Sequence, residues 1–281
     1  MFRCFTKEVC SLKRFTCLSL FPEIIKASAL SSIGGRAVER GLYELEFIQI
    51  RDFAVNEYGK VDDALYGGGV GMLMMAEPVF QSVTKAKDDF RQSHGEGREK
   101  LIYLSPRGRV LDQQKARELS ELDHLILLCG HYEGVDQRIL DECEAEELSI
   151  GDYVLTGGEL AAAVLIDVIS RMLPGVLPAA EAWQKESIAS GLLEEPQYTR
   201  PAEWRGRAVP ELLLSGHAAR IEAWRQHAAL DLTLKRRPEL LTKLPMTHEE
   251  IRTWLEAREQ KTKASLPLLP GEQMKKEEKS N

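Results

Sequence analysis

Cysteine is sparse: Cys4, Cys10, Cys17, Cys129 and Cys143 are the five, with no Cys-x-x-Cys pair and an odd total. That pattern argues against a disulfide framework and a zinc ribbon, and suits reduced thiols in a cytoplasmic protein. No apolar stretch reaches membrane-spanning length; the longest, around Leu160 to Ile169, is interrupted by Asp167. The phosphate-cradling GxxxxGK[ST] pattern is missing, which removes P-loop chemistry. Ser105 lacks a GxSxG context, so a hydrolase nucleophile is not expected. His131 and His217 have no Cys or His at ligand spacing, and no imidazole metal site is expected. Internal repeats at solenoid periods are absent. Arg3, Lys7, Lys13 and Arg14 stand beside Glu8 without the long apolar stretch and cleavage site of a signal peptide. The net charge of −7 excludes a surface that grips nucleic acid everywhere.

What is present has direction. Hydrophobic residues make up 43% of the chain, enough for a real core, and 281 residues suit one large domain or two modest ones. Charge is segregated: Glu133 to Glu159 holds nine acids and one base, Arg138, whereas Tyr198 to Lys243 holds nine bases and five acids. The basic segment could hold phosphates. Strands are predicted at Phe15–Leu20, Leu45–Ile50, Leu101–Leu104, Leu125–Cys129 and Ser149–Leu155. Between them, Asp112 can cap a helix to about Leu122, and Leu160–Met172 is apolar nearly all round, like a buried helix. Alternating strands and helices predict an α/β fold with a mainly parallel sheet covered on both faces.

Periodicity breaks down in PGVLPAAEAWQKES from Pro174, as expected of a linker. Beyond it, Ser215 can cap a helix with Ala218, Ile221 and Trp224 at spacing three, and Thr247 can cap another to about Lys261. The expected organisation is an extension 1–14, an α/β domain 15–175, a linker 176–190, a helical segment 191–262 and a polar tail 263–281 whose composition disfavours order.

Three glycine-bearing segments follow predicted strands: YLSPRGR from Tyr103, CGHYEGVD from Cys129 and IGDYVLTGG from Ile150. Ligands of parallel sheets bind outside the carboxyl ends of strands, and glycine lets backbone approach them. One such turn is ordinary; three in consecutive βα units point to an adenosine-type ligand that needs no phosphate cradle, as S-adenosylmethionine would. YGGGVGMLM from Tyr66 follows no predicted strand and has the wrong spacing for a dinucleotide fingerprint. It reads either as a flexible surface loop or as a loop that packs close to another backbone or a flat base, with Met72, Leu73, Met74 and Met75 as core or interface filler. Asp62, Asp63, Glu133, Asp152 and Glu186 are all candidate carboxylates, and spacing does not choose among them.

These segments, with LSLFPE from Leu18, VDDALYGGGVGMLM from Val61, SIGDYVLTGGEL from Ser149, GLLEEPQYTRP from Gly191 and LLSGH from Leu213, stand in fixed order. In that order the chain resembles the bacterial tRNA (guanine-N1)-methyltransferases, the TrmD family of the SPOUT class. The resemblance runs from about Phe15 to about Ile251. It implies a deep trefoil knot in the α/β domain, a small helical C-terminal domain that helps hold tRNA, and a homodimer with active sites shared between subunits. It implies methyl transfer from S-adenosylmethionine to N1 of the guanine immediately 3′ of the anticodon, tRNA position 37. Family members favour Mg²⁺, although no ligand cluster here suggests it.

Carried over by position, the resemblance assigns the cofactor pocket to Tyr103, Leu104, Ser105, Pro106 and Gly108, to Gly130, Tyr132, Glu133 and Gly134, and to Ile150, Gly151, Asp152, Tyr153, Val154, Leu155, Gly157 and Gly158. Glu186 takes the place of the usual aspartate base before a serine, one methylene longer, and Arg171 that of the arginine that steadies charge on guanine O6. Asp62 matches the reader of the preceding guanine, and Arg200, Ser215, Gly216 and His217 match positions near the tRNA backbone. Val70, Ala64-Leu65, Ala161 and Gln197 depart from common family residues, but no cofactor-loop glycine is lost. Two other readings differ in class: a SPOUT methyltransferase with another RNA target, such as ribose 2′-OH or rRNA, and an RNA-binding homologue with impaired catalysis.

Overall fold

The computed structural model describes residues 12–179, 183 and 186–243. The proposed second C-terminal helix, from Thr247, and the tail lie outside the described residues. The chain divides into two compact units, Met1–Ala189 and Ser190–Asn281.

The first unit begins with β1 (Arg14–Ser19), α1 (Pro22–Ala29), α2 (Ser32–Glu39) and β2 (Glu44–Gln49). Then come β3 (Asp62–Ala64), β4 (Met72–Met74), α3 (Ala76–His94) and β5 (Glu99–Val110). It continues with α4 (Gln113–Ser120), β6 (His124–Cys129), α5 (Gln137–Glu142), β7 (Glu146–Ser149) and α6 (Glu159–Ser170). Five strands form one sheet in the order β2-β1-β6-β5-β7, and every neighbouring pair is parallel. The α/β expectation therefore holds.

Side chains alternate across this sheet, but both faces are apolar. Phe15, Cys17, Leu125, Leu127 and Cys129 enter one core with Ala162, Leu165 and Ile169 of α6. Leu18, Ile126 and Leu128 enter the other with Val79, Val83 and Ala86 of α3. Burial on both faces is why β6 reads as a nearly continuous apolar run. Each fully buried leucine contributes roughly 1.5–3 kcal/mol. The thiols of Cys17 and Cys129 are fully buried. Burial pushes the Cys17 thiol up to about 12 and raises that of Cys129.

Three expectations change. The predicted strand Ser149–Leu155 is displaced: the strand is Glu146–Ser149, and Ile150–Leu155 forms the loop after it. The acids of EELS hid this strand; Glu146 sits there because Lys100 and Lys115 reach it at 2.5 Å each. The glycine run does follow a strand, since β3 and β4 pair antiparallel as a hairpin around Tyr66–Gly71. Three-residue strands containing Asp62 and Asp63 are too short and acidic to show period two. Finally, α6 is not buried all round: Leu160, Val164 and Asp167 form an exposed stripe at i, i+4 and i+7.

The second unit contains a ribbon of β8 (Glu203–Trp204) and β9 (Arg207–Ala208), then α7 (Glu211–Leu214) and α8 (Ala218–Arg236). Arg205 and Gly206, at φ 51° and 75°, make the tight turn. The expected cap moves: His217 stands at the N-cap of α8, whereas the Ser215 hydroxyl donates back to Leu212 O at 2.7 Å and ends α7. The same hydroxyl also accepts from His217 N–H at 3.3 Å, so it serves the preceding turn as a donor and the approach to α8 as an acceptor.

Candidate functional site

The carboxyl ends of β5, β6 and β7 open into a cleft of about 390 Å³. Its first wall comes from a break in β5. The register with β7 jumps so that Leu104 and Arg109 both face Leu148, and residues 105–108 bulge out of the sheet. Gly108 lets the chain rejoin: a Cβ there would lie 2.3 Å from the Glu147 carbonyl carbon. Gly108 therefore seals β5 against β7 and does not line the cleft. Asp152, too, is absent from the lining, while the other fifteen assigned cofactor residues are all present.

The second wall, Gly130–Val135, turns through Tyr132 at φ 59° and Gly134 at φ 123°. A Cβ at Gly130 would stand 2.8 Å from the Tyr103 ring. Tyr103 itself is nearly buried, and burial raises its phenol. The third wall runs from Ile150 to Gly158. Gly151 turns at φ 152°, and the Ser149 hydroxyl both accepts from Gly151 N–H at 3.1 Å and donates to Gly151 O at 3.0 Å. Gly158 N–H donates to Gly130 O at 3.0 Å, and a Cβ at Gly158 would lie 2.7 Å from Cys129 Cα. Two loops thus meet backbone to backbone, which only glycine permits.

The β3–β4 hairpin docks onto the second loop. Met74 N–H donates to Gly134 O at 2.9 Å, Glu133 N–H to Met72 O at 3.0 Å and Asp136 N–H to Met74 O at 3.0 Å. Gly71, at φ 112°, leaves room for Glu133, whose Cγ would lie 2.5 Å from a Cβ there. At the tip, Tyr66 and Val70 are almost fully exposed. Asp62 is half-buried at the base of the hairpin.

The proposed base and charge partner are in contact. Arg171 Nη2 donates to both carboxylate oxygens of Glu186, at 2.6 and 2.7 Å, and both side chains are part-exposed. Three residues before Glu186, the Trp183 ring has Arg117 standing over it, 5.2 Å from its centroid. In the second unit, Arg200, Ser215, Gly216 and His217 are exposed, with Gly216 at φ 71°.

Sequence reasoning missed one element of the cleft. His131 lines it, and Nε2 lies 2.9 and 2.8 Å from the two oxygens of Glu159. Glu159 is 2% exposed and also accepts from the buried Ser19 hydroxyl at 2.6 Å. The search for His and Cys partners could not find this pair, because the partner is a carboxylate 28 residues away. Its only signal was an acid between GG and a long apolar run.

Residues 13–243 match the family described as tRNA (Guanine-1)-methyltransferase TrmD. A tRNA (guanine-N(1)-)-methyltransferase of Ruminiclostridium cellulolyticum is 51% identical over 232 residues, 83% of this chain and 97% of its own length. Relatives of the same name from Alkaliphilus oremlandii and Aromatoleum aromaticum are 47% and 49% identical, covering 83% and 85% of this chain and 94% and 90% of their own.

Proposed function

Because this chain belongs to the tRNA (guanine-1)-methyltransferase family, TrmD, we propose that it methylates tRNA at N1 of the guanine 3′ of the anticodon, position 37. The observation that supports this reading is the cleft at the ends of three parallel strands, where Gly158 lets two wall loops meet backbone to backbone and Gly130 leaves room for the Tyr103 ring. Its volume and bare backbone fit an adenosine with an amino-acid tail, held by Tyr103–Pro106, Gly130–Gly134 and Ile150–Gly158. When bound, S-adenosylmethionine supplies a methyl group on a cationic sulfonium.

The chain's own residues do the rest. Guanine N1 carries a proton and is a poor nucleophile until it loses it, so the Glu186 carboxylate takes that proton, and the bound sulfonium would supply the methyl, its carbon–sulfur bond breaking with the electron pair left on sulfur. A positioned base of this kind is worth about 10²–10⁴-fold. Arg171 grips Glu186 through Nη2 alone. Guanidinium has five N–H donors, so Arg171 can orient the base and still donate to guanine O6 as charge grows there. Asp62, at the root of the hairpin, reads the preceding guanine, and Arg200 with Ser215–His217 engages the backbone. Among the described residues, no group of three or more His, Cys, Asp or Glu is gathered to hold a metal ion. No step is therefore assigned to Mg²⁺. We also propose a knotted first unit, a homodimer with shared sites, and action in the cytoplasm, all following the family.

The test is methylation of transcripts bearing guanine or another base before and at position 37, with mass spectrometry locating the methyl. Methylation indifferent to those bases, or placed on ribose, would refute the assignment.

A further inference from the structure

We propose that His131 is a positioning residue for cofactor binding, acting through the buried carboxylate of Glu159; the proposal rests on the methyltransferase reading. Glu159 is a charged group with almost no solvent contact, and such a group is tolerated only when its oxygens are bonded. The described partners are Ser19, at the end of β1, and His131, in the loop after β6. Glu159 itself opens α6, directly after the Gly157-Gly158 turn. One carboxylate therefore pulls together the exits of two neighbouring strands and the last cofactor loop.

The spacing leaves no slack. A Cβ at Gly157 would lie 2.4 Å from His131 Nε2 and 2.5 Å from Glu159 Oε2. The histidine–carboxylate bond closes over Gly157, so the ring fixes the distance between the second and third walls. Phe21 backs the imidazole at a centroid distance of 5.0 Å, tilted by 57°. A Ser–His–acid relay is excluded by the order of contacts. The acid stands between serine and histidine, so Ser19 has no imidazole to activate it. What remains is a bond from Nε2–H to Glu159 that holds the ring as part of the cleft wall.

The experiment measures equilibrium binding of S-adenosylhomocysteine by calorimetry, beside steady-state kinetics and thermal unfolding. In His131→Ala, affinity is expected to fall about tenfold or more, the loss of one charge-assisted hydrogen bond, with KM for S-adenosylmethionine rising similarly and kcat falling less. In His131→Gln, the amide nitrogen can still donate to Glu159, and affinity returns to within about threefold. Wild-type affinity in His131→Ala overturns the proposal, as does a loss of kcat at unchanged affinity. Should the alanine variant not fold, the glutamine variant decides: binding tenfold weaker than wild type overturns the proposal as well. A wild-type protein that binds the product but methylates no tRNA refutes the functional reading while leaving this inference standing.

Discussion

Glu186 and Arg171 hold each other through a single guanidinium nitrogen, so either substitution leaves the other charge without its partner. Glu186→Gln is expected to lower turnover at least about 10²-fold, the contribution of a positioned base, with product binding by calorimetry unchanged. Near-normal turnover would remove Glu186 from that role, and Glu186→Asp measures what the extra methylene costs. The two cleft glycines differ in what a methyl group would strike. At Gly130 it meets the edge of a tyrosine ring, whereas at Gly158 it meets the backbone of Cys129 and Gly130. Gly158→Ala should therefore weaken cofactor binding more than Gly130→Ala and cost about 1–3 kcal/mol in urea unfolding, the usual penalty of overpacking. Most of the cleft was legible, because glycine after a strand is a local signal. Glu159 was not, since its meaning lies in contacts with Ser19 and His131, far away in sequence.

Individual elements were legible where the pattern was local. Asp112 caps α4, its side chain accepting from Lys115 N–H at 2.8 Å. Asp112→Ala should cost about 1 kcal/mol, read from the denaturation midpoint. β7 was misplaced and the β3–β4 hairpin missed because acids held by lysines or standing on short edges break the apolar periodicity that marks a strand. β6 carries a different consequence at its amino end. His124 is fully buried, its Nε2 lies 2.9 Å from the Thr16 hydroxyl, and its ring stacks on Phe90 at 4.4 Å. Burial, with help from Arg14, His94, Lys13 and Lys87, lowers its pKa to about 3. The unfolded chain takes up a proton near pH 6.5 that the folded chain refuses until about pH 3. Stability should thus fall as pH drops through that window, by at most about 1.4 kcal/mol per unit. Urea midpoints between pH 7 and pH 4.5 should show a shallower decline in His124→Asn.

For the whole molecule, the class of fold followed from alternating strands and helices, and the sheet of five parallel strands agrees with it. The proposed knot and shared active site have no periodic signature; both proposals rest on the family. If sites are shared, two impaired variants should rescue each other. Mixing Glu186→Gln chains with a cleft variant such as Gly158→Ala, after exchange of subunits, is expected to restore up to about a quarter of wild-type activity. That is the yield when half the dimers are mixed and each mixed dimer has one intact site. No recovery would mean that cleft and base belong to one chain.

The buried thiols add a reporter that needs no engineering. Cys17 and Cys129 lie on adjacent strands with no solvent access, so an alkylating reagent can reach them only when the sheet opens. Their labelling, read peptide by peptide, becomes a clock for that opening. Cys129 Cα packs directly behind Gly158 of the cleft wall, so a ligand that steadies that wall should slow its clock, making occupancy of the pocket measurable without tRNA and without turnover.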